Sequence, residues 1–156
     1  MKKKFVVLIV IVLAILIVGI LAFVSKRDAE NKVKEKLIGK TFVGTIEHNS
    51  YEDFSFDLEL RVTFTDAKTC DIYHYKMLYE QKIGNTQTGW VFADEHLNDI
   101  PYSVTAKQGL FYLEWEDSCS GADSPFTIEE WDGEIVLNTL DYDSGKNLIM
   151  VLAEDQ

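Results

Sequence analysis

Phe54-Ser55-Phe56-Asp57-Leu58-Glu59-Leu60-Arg61-Val62-Thr63-Phe64-Thr65 alternates apolar and polar side chains without a break. Successive side chains of a strand point to opposite faces of a sheet. The stretch therefore puts Phe54, Phe56, Leu58, Leu60, Val62 and Phe64 on one face and Ser55, Asp57, Glu59, Arg61, Thr63 and Thr65 on the other. A strand buried on one face and wet on the other does not belong to an all-parallel sheet, whose strands are covered on both faces and read as continuous apolar runs. The pattern predicts antiparallel pairing.

Working outward, further strand candidates fall at 41–48, 70–80, 88–93, 101–106, 110–116, 125–131, 134–141 and 146–153. Turn chemistry separates several of them. Asp132-Gly133, between Phe126–Trp131 and Glu134–Leu140, is a two-residue hairpin signal, because a type I′ turn needs positive φ at both central positions. Lys107-Gln108-Gly109 and Asp143-Ser144-Gly145 mark two more turns. No stretch after residue 40 carries a helical period. The expectation is an all-β domain, an antiparallel meander of eight or nine short strands that closes as a small barrel or a sandwich.

Ahead of this domain lies a different kind of chain. Residues 5–24, FVVLIVIVLAILIVGILAFV, contain no charged or strongly polar side chain, and as a helix they extend about 30 Å, the thickness of a hydrocarbon core. The run is longer than the apolar part of a cleaved secretory signal, and no small-x-small site follows it. Cutting after Ala22 would place Ile20 at −3, and cutting after Ser25 would place Phe23 there. No cysteine follows the run to accept a lipid. Residues 1–25 therefore read as an uncleaved transmembrane signal anchor, single-pass and of bacterial type, that holds the protein in the cell membrane.

Residues 26–38, KRDAENKVKEKLI, are rich in helix formers and read as a helical stalk leading to the domain at 39–156. Lys2, Lys3 and Lys4 beside a free amine resist translocation and favour an extracytoplasmic domain. Lys26, Arg27, Lys32, Lys34, Lys36 and Lys40 argue for the opposite orientation, diluted by Asp28, Glu30 and Glu35.

Charge divides the chain at the same place. Residues 1–40 hold nine basic and three acidic side chains, a balance of +6, whereas residues 41–156 hold six and 23, a balance of −17. Phosphate recognition needs a basic surface, so nucleic acid is not an expected partner of so acidic a domain. Abundant aromatic and β-branched residues exclude intrinsic disorder as its state.

Along residues 39–156 the arrangement resembles lipocalin-like domains. Their closing hairpins are matched by Tyr102-Ser103-Val104, a turn, Phe111 to Trp115, Phe126-Thr127-Ile128, Asp132-Gly133-Glu134-Ile135-Val136-Leu137 and Gly145-Lys146-Asn147-Leu148. Gly39-Lys40-Thr41-Phe42 is similar to the way such barrels enter their first strand. The family's Gly-x-Trp is absent, since Thr41 stands where its Trp would, and no Thr-Asp-Tyr occurs. The resemblance implies a calycin-type barrel and transfers no binding residue.

His48, His74 and His96 are scattered, with no pairing at i, i+4 and no zinc-like spacing to a cysteine. No nucleophile elbow, phosphate-binding glycine loop or His-Glu-x-x-His occurs. Asp141, Asp143 and Gly145 fail the calcium-loop spacing, with the Gly fifth instead of sixth. The expectation is therefore a non-enzymatic protein with no metal and no cofactor. Cys70 and Cys119 would pair only if the fold brings them together in an oxidising compartment; two free thiols are the alternative.

Aromatic side chains are concentrated in the strands, and Tyr73, Tyr75, Tyr79, Phe111, Trp115 and Trp131 are the candidate lining of an apolar ligand site with tyrosine hydroxyls as polar anchors. The expected function is non-catalytic binding of a small apolar ligand. The alternative is a packed domain that binds another envelope protein.

Overall fold

One helix precedes eight antiparallel strands in a computed structural model that describes residues 2–51, 54–80, 88–115, 125–141 and 146–153. Cys119 and the Asp143-Ser144-Gly145 turn lie outside the described residues. The helix α1 spans Lys2–Leu37. The strands are β1 (Thr41–Tyr51), β2 (Phe54–Phe64), β3 (Thr69–Glu80), β4 (Thr88–Lys107), β5 (Leu110–Trp115), β6 (Phe126–Trp131), β7 (Glu134–Asp141) and β8 (Lys146–Leu152). Each pairs with the next, and β8 returns to β1 through Phe42↔Leu152 and Val43↔Val151, so the meander closes as a barrel and not as a sandwich. Closure leaves no strand permanently at an edge, which is how small all-β domains avoid edge-to-edge association.

β2 sets the faces of its neighbours, because directly opposed residues of an antiparallel pair point to the same side. Val62, Leu60 and Leu58 oppose Phe42, Gly44 and Ile46 of β1, and Phe56, Leu58, Leu60, Val62 and Phe64 oppose Leu78, Lys76, His74, Ile72 and Cys70 of β3. The apolar face of β2 thereby becomes the barrel interior. Phe42, Val62, Phe64, Cys70, Leu113, Leu137 and Met150 are fully buried there. Phe64 meets Phe42 and Tyr102 edge-on, with ring centroids 5.9 and 5.0 Å away. Trp115 and Phe126, at 4.9 Å, close the opposite wall. Deleting one such ring would leave a cavity costing about 3–5 kcal/mol.

Two strand candidates, 88–93 and 101–106, prove to be one. β4 runs unbroken through the polar segment between them, pairing with β3 along its first part and with β5 from Tyr102 to Lys107. Register shifts at Cys70/Ile72 and Lys76/Met77 accommodate the extra residues. Asp99 adopts a positive φ of 56° at the first of them, and its N–H donates to Asp71 Oδ1 at 3.0 Å. Each bulge inserts a residue and so breaks the period-2 pattern that marks a strand.

The expected turns form as their residues require. Asp132 and Gly133 have φ of 53° and 88°, and Gln108 and Gly109 have 54° and 83°. Both turns, with the 65–68 loop, sit at the end of the barrel that α1 enters, called proximal below. The opposite end of the barrel, where β1 ends at Tyr51 and β3 at Glu80, is called distal.

α1 continues without a break past residue 25, where the composition changes. From Ile9 to Val24 its large apolar side chains are 44–66% exposed, and none of the described residues covers a side of the helix there. It is long and apolar enough to cross a membrane. Its last turns are different: Ala29, Glu30, Val33, Lys34 and Leu37 share one face that turns toward the barrel. Leu37 is fully buried in the same core as Phe42 and Phe64. Gly39, at φ 75°, ends the helix and swings the chain into β1, and its N–H bonds to Phe64 O at 2.8 Å. The core of the barrel domain thus includes helix residues on the N-terminal side of position 39.

Candidate functional site

Three places on the described residues carry distinctive chemistry, and two of them lie at a groove or crevice. The first is the interior toward the distal end. There the inner face of β3 carries Ile72, His74, Lys76 and Leu78, and a charged side chain among buried aliphatic ones is unusual. Lys76 is only 9% exposed, and its Nζ lies 4.8 Å from the centroid of Phe56 and 5.8 Å from that of Phe92. Both distances are within the range of cation–π attraction. Trp90 opposes Leu78 across the β3–β4 ladder and so faces the same interior. Trp90 and Phe92 are nevertheless 42% and 57% exposed.

His74 lies one step deeper and is 2% exposed. Burial pushes its pKa below the usual histidine value; the charge of Glu95 opposes this and that of Lys76 adds to it, so the ring is neutral at neutral pH. His74 Nδ1 and, on β7, Thr139 Oγ1 are buried without a hydrogen bond. A buried polar atom in that condition costs about 1–3 kcal/mol relative to a satisfied one.

The second place is the outer face of β2, β3 and β4, a shallow groove of about 510 Å³ lined by Arg61, Thr63, Asp71, Tyr73, His96 and Asn98. Tyr73 and His96 stack there with centroids 4.5 Å apart. Arg61 is paired with Glu59 at 3.2 Å. The third is a crevice of about 290 Å³ between the end of α1 and the β6–β7 hairpin, bordered by Lys36, Lys40, Phe42, Glu130, Glu134 and Leu152. Lys36 and Glu130 satisfy each other across it at 3.6 Å.

The six aromatic residues expected to form one ligand site are not brought together. Tyr73, Tyr75 and Tyr79 stand on the outer face of β3, because the register with β2 sends the even-numbered residues inward. Their hydroxyls are engaged locally: Tyr79 donates to Asp57 Oδ2 at 2.7 Å, which raises its pKa, and Tyr75 reaches Met77 Sδ at 3.5 Å. Phe111 and Trp115 are on the inner face of β5, packed against the core. Trp131 lies at the proximal β6–β7 turn, 44% exposed, with Nε1 donating to Glu129 Oε2 at 2.9 Å.

Cys70 is buried in the core, its thiol directed to Ile100 O at 3.6 Å, whereas its expected partner lies outside the described residues. Among the described residues no three His, Cys, Asp or Glu side chains converge as a metal site would require.

Sequence reasoning weighed His74 as a metal ligand and chose neither it nor Lys76 as a ligand contact. Both faces of β3 mix polar and apolar residues, so its own alternation does not say which side is inside. The signal lay in the neighbouring strand: aligning Thr69–Glu80 antiparallel to the unambiguous β2 places Ile72, His74, Lys76 and Leu78 with Val62, Leu60, Leu58 and Phe56. No protein-family model, curated protein or solved structure matches this chain.

Proposed function

We propose that the chain is a single-pass, membrane-anchored binding domain of lipocalin-like kind, held outside the cytoplasm. It is non-catalytic and takes a small ligand with an apolar body and an acidic head into the distal mouth of its barrel. The observation that carries this reading is the pairing of opposites on one inner face. Trp90 and Phe92 leave apolar surface open to solvent, while Lys76, just inside them, is nine-tenths buried. An aliphatic chain covering the rings would remove apolar area from water at about 25 cal/mol per Å². A carboxylate or similar head beside Lys76 would add a charge-assisted contact in a site of low dielectric. His74, neutral and with Nδ1 available, supplies a second polar contact further in.

The anchor supports the same reading. Residues 9–24 are apolar on every side and uncovered, and Lys2–Lys4 favour retention of the N-terminus in the cytoplasm. A barrel tethered at its proximal end presents its mouth away from the lipid.

The test is titration of residues 25–156 with a dansyl-labelled long-chain carboxylate, followed by energy transfer from tryptophan, with native mass spectrometry of the purified domain alongside. The expected result is saturable binding that Lys76→Met weakens about tenfold or more, in line with loss of one charge-assisted contact, while the corresponding long-chain alcohol is insensitive to the substitution. If neither probe binds and no extra mass accompanies the domain, the barrel is a packed module, and its outer groove around Tyr73 and His96 becomes the surface on which to seek a protein partner.

A further inference from the structure

The last turns of α1 and the end of β4 run side by side. Lys34 Nζ lies 5.2 Å from the ring centroid of Tyr102 and 3.3 Å from Ala67 O. One helical turn back, Glu30 Oε1 accepts a hydrogen bond from Ala106 N at 2.9 Å. Two contacts, four residues apart on each element and in opposite chain sense, fix the direction: as the helix descends from Lys34 toward Glu30, the strand descends from Tyr102 toward Ala106. Glu30 satisfies a backbone N–H of β4 at a level where β3, which begins at Thr69 opposite Pro101, no longer reaches.

Extending both elements gives the reach. From Glu30 back to Val24, the last residue of the apolar run, is about 9 Å of helix. The hairpin ends at Lys107, which pairs with Leu110 about 3 Å of strand beyond Ala106, with Gln108 and Gly109 closing the turn just below. The Lys107–Leu110 pair therefore stops about 6 Å short of the level where the apolar span begins, within the depth of a headgroup layer. Leu110 at that turn is 47% exposed, and Lys107 is exposed beside it. Near that level the helix carries Lys26, 3.7 Å from Glu30 Oε1, and Arg27 beside Asp28. Residues 41–156 carry a balance of −17, so the basic end of α1 with Lys107 is better suited in charge to an anionic leaflet than the rest of the barrel.

We propose that the Lys107–Leu110 tip of the β4–β5 hairpin rests on the lipid headgroups of the leaflet from which α1 emerges, with Leu110 entering the interface and Lys107, Lys26 and Arg27 facing anionic lipid. The inference rests on α1 being a retained membrane span. The barrel then stands on two feet, a helix through the bilayer and a hairpin upon it. Leu110, the first residue of β5 beside the turn, leaves about half of its surface uncovered by the barrel, and a lipid surface would cover it.

The test uses the full chain carrying Cys119→Ser and Leu110→Cys, labelled with an environment-sensitive fluorophore. It is reconstituted in vesicles of phosphatidylcholine and phosphatidylglycerol that contain a headgroup nitroxide quencher. A label at Val91→Cys, exposed on the distal part of β4, is the reference, and Lys107→Cys is a second reporter at the tip. The expected result is quenching several-fold stronger at positions 110 and 107 than at 91. Quenching at the tip no stronger than at position 91, in protein that floats with the vesicles, overturns the hairpin contact and leaves the anchor standing. Protein that does not float with the vesicles overturns the anchor and the hairpin contact together.

Discussion

Glu129 accepts hydrogen bonds from three side chains on the outer face of the β6–β7 hairpin: Thr127 Oγ1 at 2.8 Å, Asn138 Nδ2 at 3.0 Å and Trp131 Nε1 at 2.9 Å. These donors favour the carboxylate, the Thr127 bond most, and hold its pKa below the ordinary glutamate value. A depressed folded-state pKa contributes stability above the unfolded value of 4.5, and that contribution is lost as pH falls through the folded value. Glu129→Gln is expected to cost about 1–2 kcal/mol at neutral pH and to flatten the decline in stability below about pH 4.5, measured by urea unfolding at several pH values. Tyr102 works in the opposite sense. Burial, with smaller contributions from Cys70 and Asp66, pushes its phenol up to about 12, and its hydroxyl donates to Asp66 O at 2.9 Å. The protonated form is bound more tightly in the folded chain, so its stabilisation is complete below about pH 10 and lost as pH rises toward 12. Tyr102→Phe should cost about 1 kcal/mol at neutral pH and remove a phenol that titrates near 12 from an ultraviolet alkaline titration. Neither partnership was legible in the sequence, since each joins residues whose proximity depends on register or on a loop, and residue type carries no register.

At the scale of the element, most of the fold could be read directly. β2 writes its two faces in an unbroken alternation, and Asp132-Gly133 names its turn type, because only residues tolerant of positive φ can occupy both central positions. β4 could not be read, because its bulges at Asp99 and beside Phe92 interrupt the alternation and make one long strand look like two. The side of β3 that lines the barrel was equally hidden, which is why Tyr73, Tyr75 and Tyr79 rather than His74 and Lys76 drew attention as ligand contacts. The seam between β1 and β8 yields a prediction of its own. A Cβ on Gly44 would stand 2.7 Å from Met150 Cγ, 2.9 Å from Leu148 Cδ1 and 3.0 Å from Ile149 O. The two side chains could shift, but the backbone carbonyl cannot move without disturbing the ladder. Gly44→Val is therefore expected to destabilise by about 1–3 kcal/mol, with the earliest loss of amide protection in hydrogen exchange at Phe42 and Val43, where the barrel closes. Gly89→Ala, whose nearest neighbours are side-chain atoms of Met77 and Tyr79, should cost less.

For the molecule as a whole, the composition break near residue 40 and the structural boundary do not coincide. Leu37 is as deeply buried as Phe42, and Val33 packs against the same core. A fragment of residues 25–156 should fold and remain soluble without detergent. A fragment of residues 39–156, which lacks the proximal plug, should be less stable by about 2–5 kcal/mol, the range for removal of a buried leucine, as read from paired thermal or urea melts. Equal stability of the two would show that the helix end merely rests on the barrel. The charge asymmetry, the apolar span and the antiparallel barrel were all visible in the sequence. The joint between span and barrel was not, because a helix-forming basic stretch reads the same whether it is a solvated spacer or an inserted plug.

That joint leaves the barrel without a swivel. If α1 spans a membrane as proposed, its unbroken run to Leu37 delivers a change in the inclination of the span to the barrel as an equal rotation. About 18 Å of helix separates Ser25 from Leu37, so an inclination of about 20°, common for single spans, carries the barrel base sideways by roughly 6 Å and turns the mouth through the same angle. A thicker bilayer, which straightens the span, and a thinner one, which inclines it, would aim the mouth differently. In such an anchored barrel, the direction in which the mouth points would be a readout of bilayer thickness.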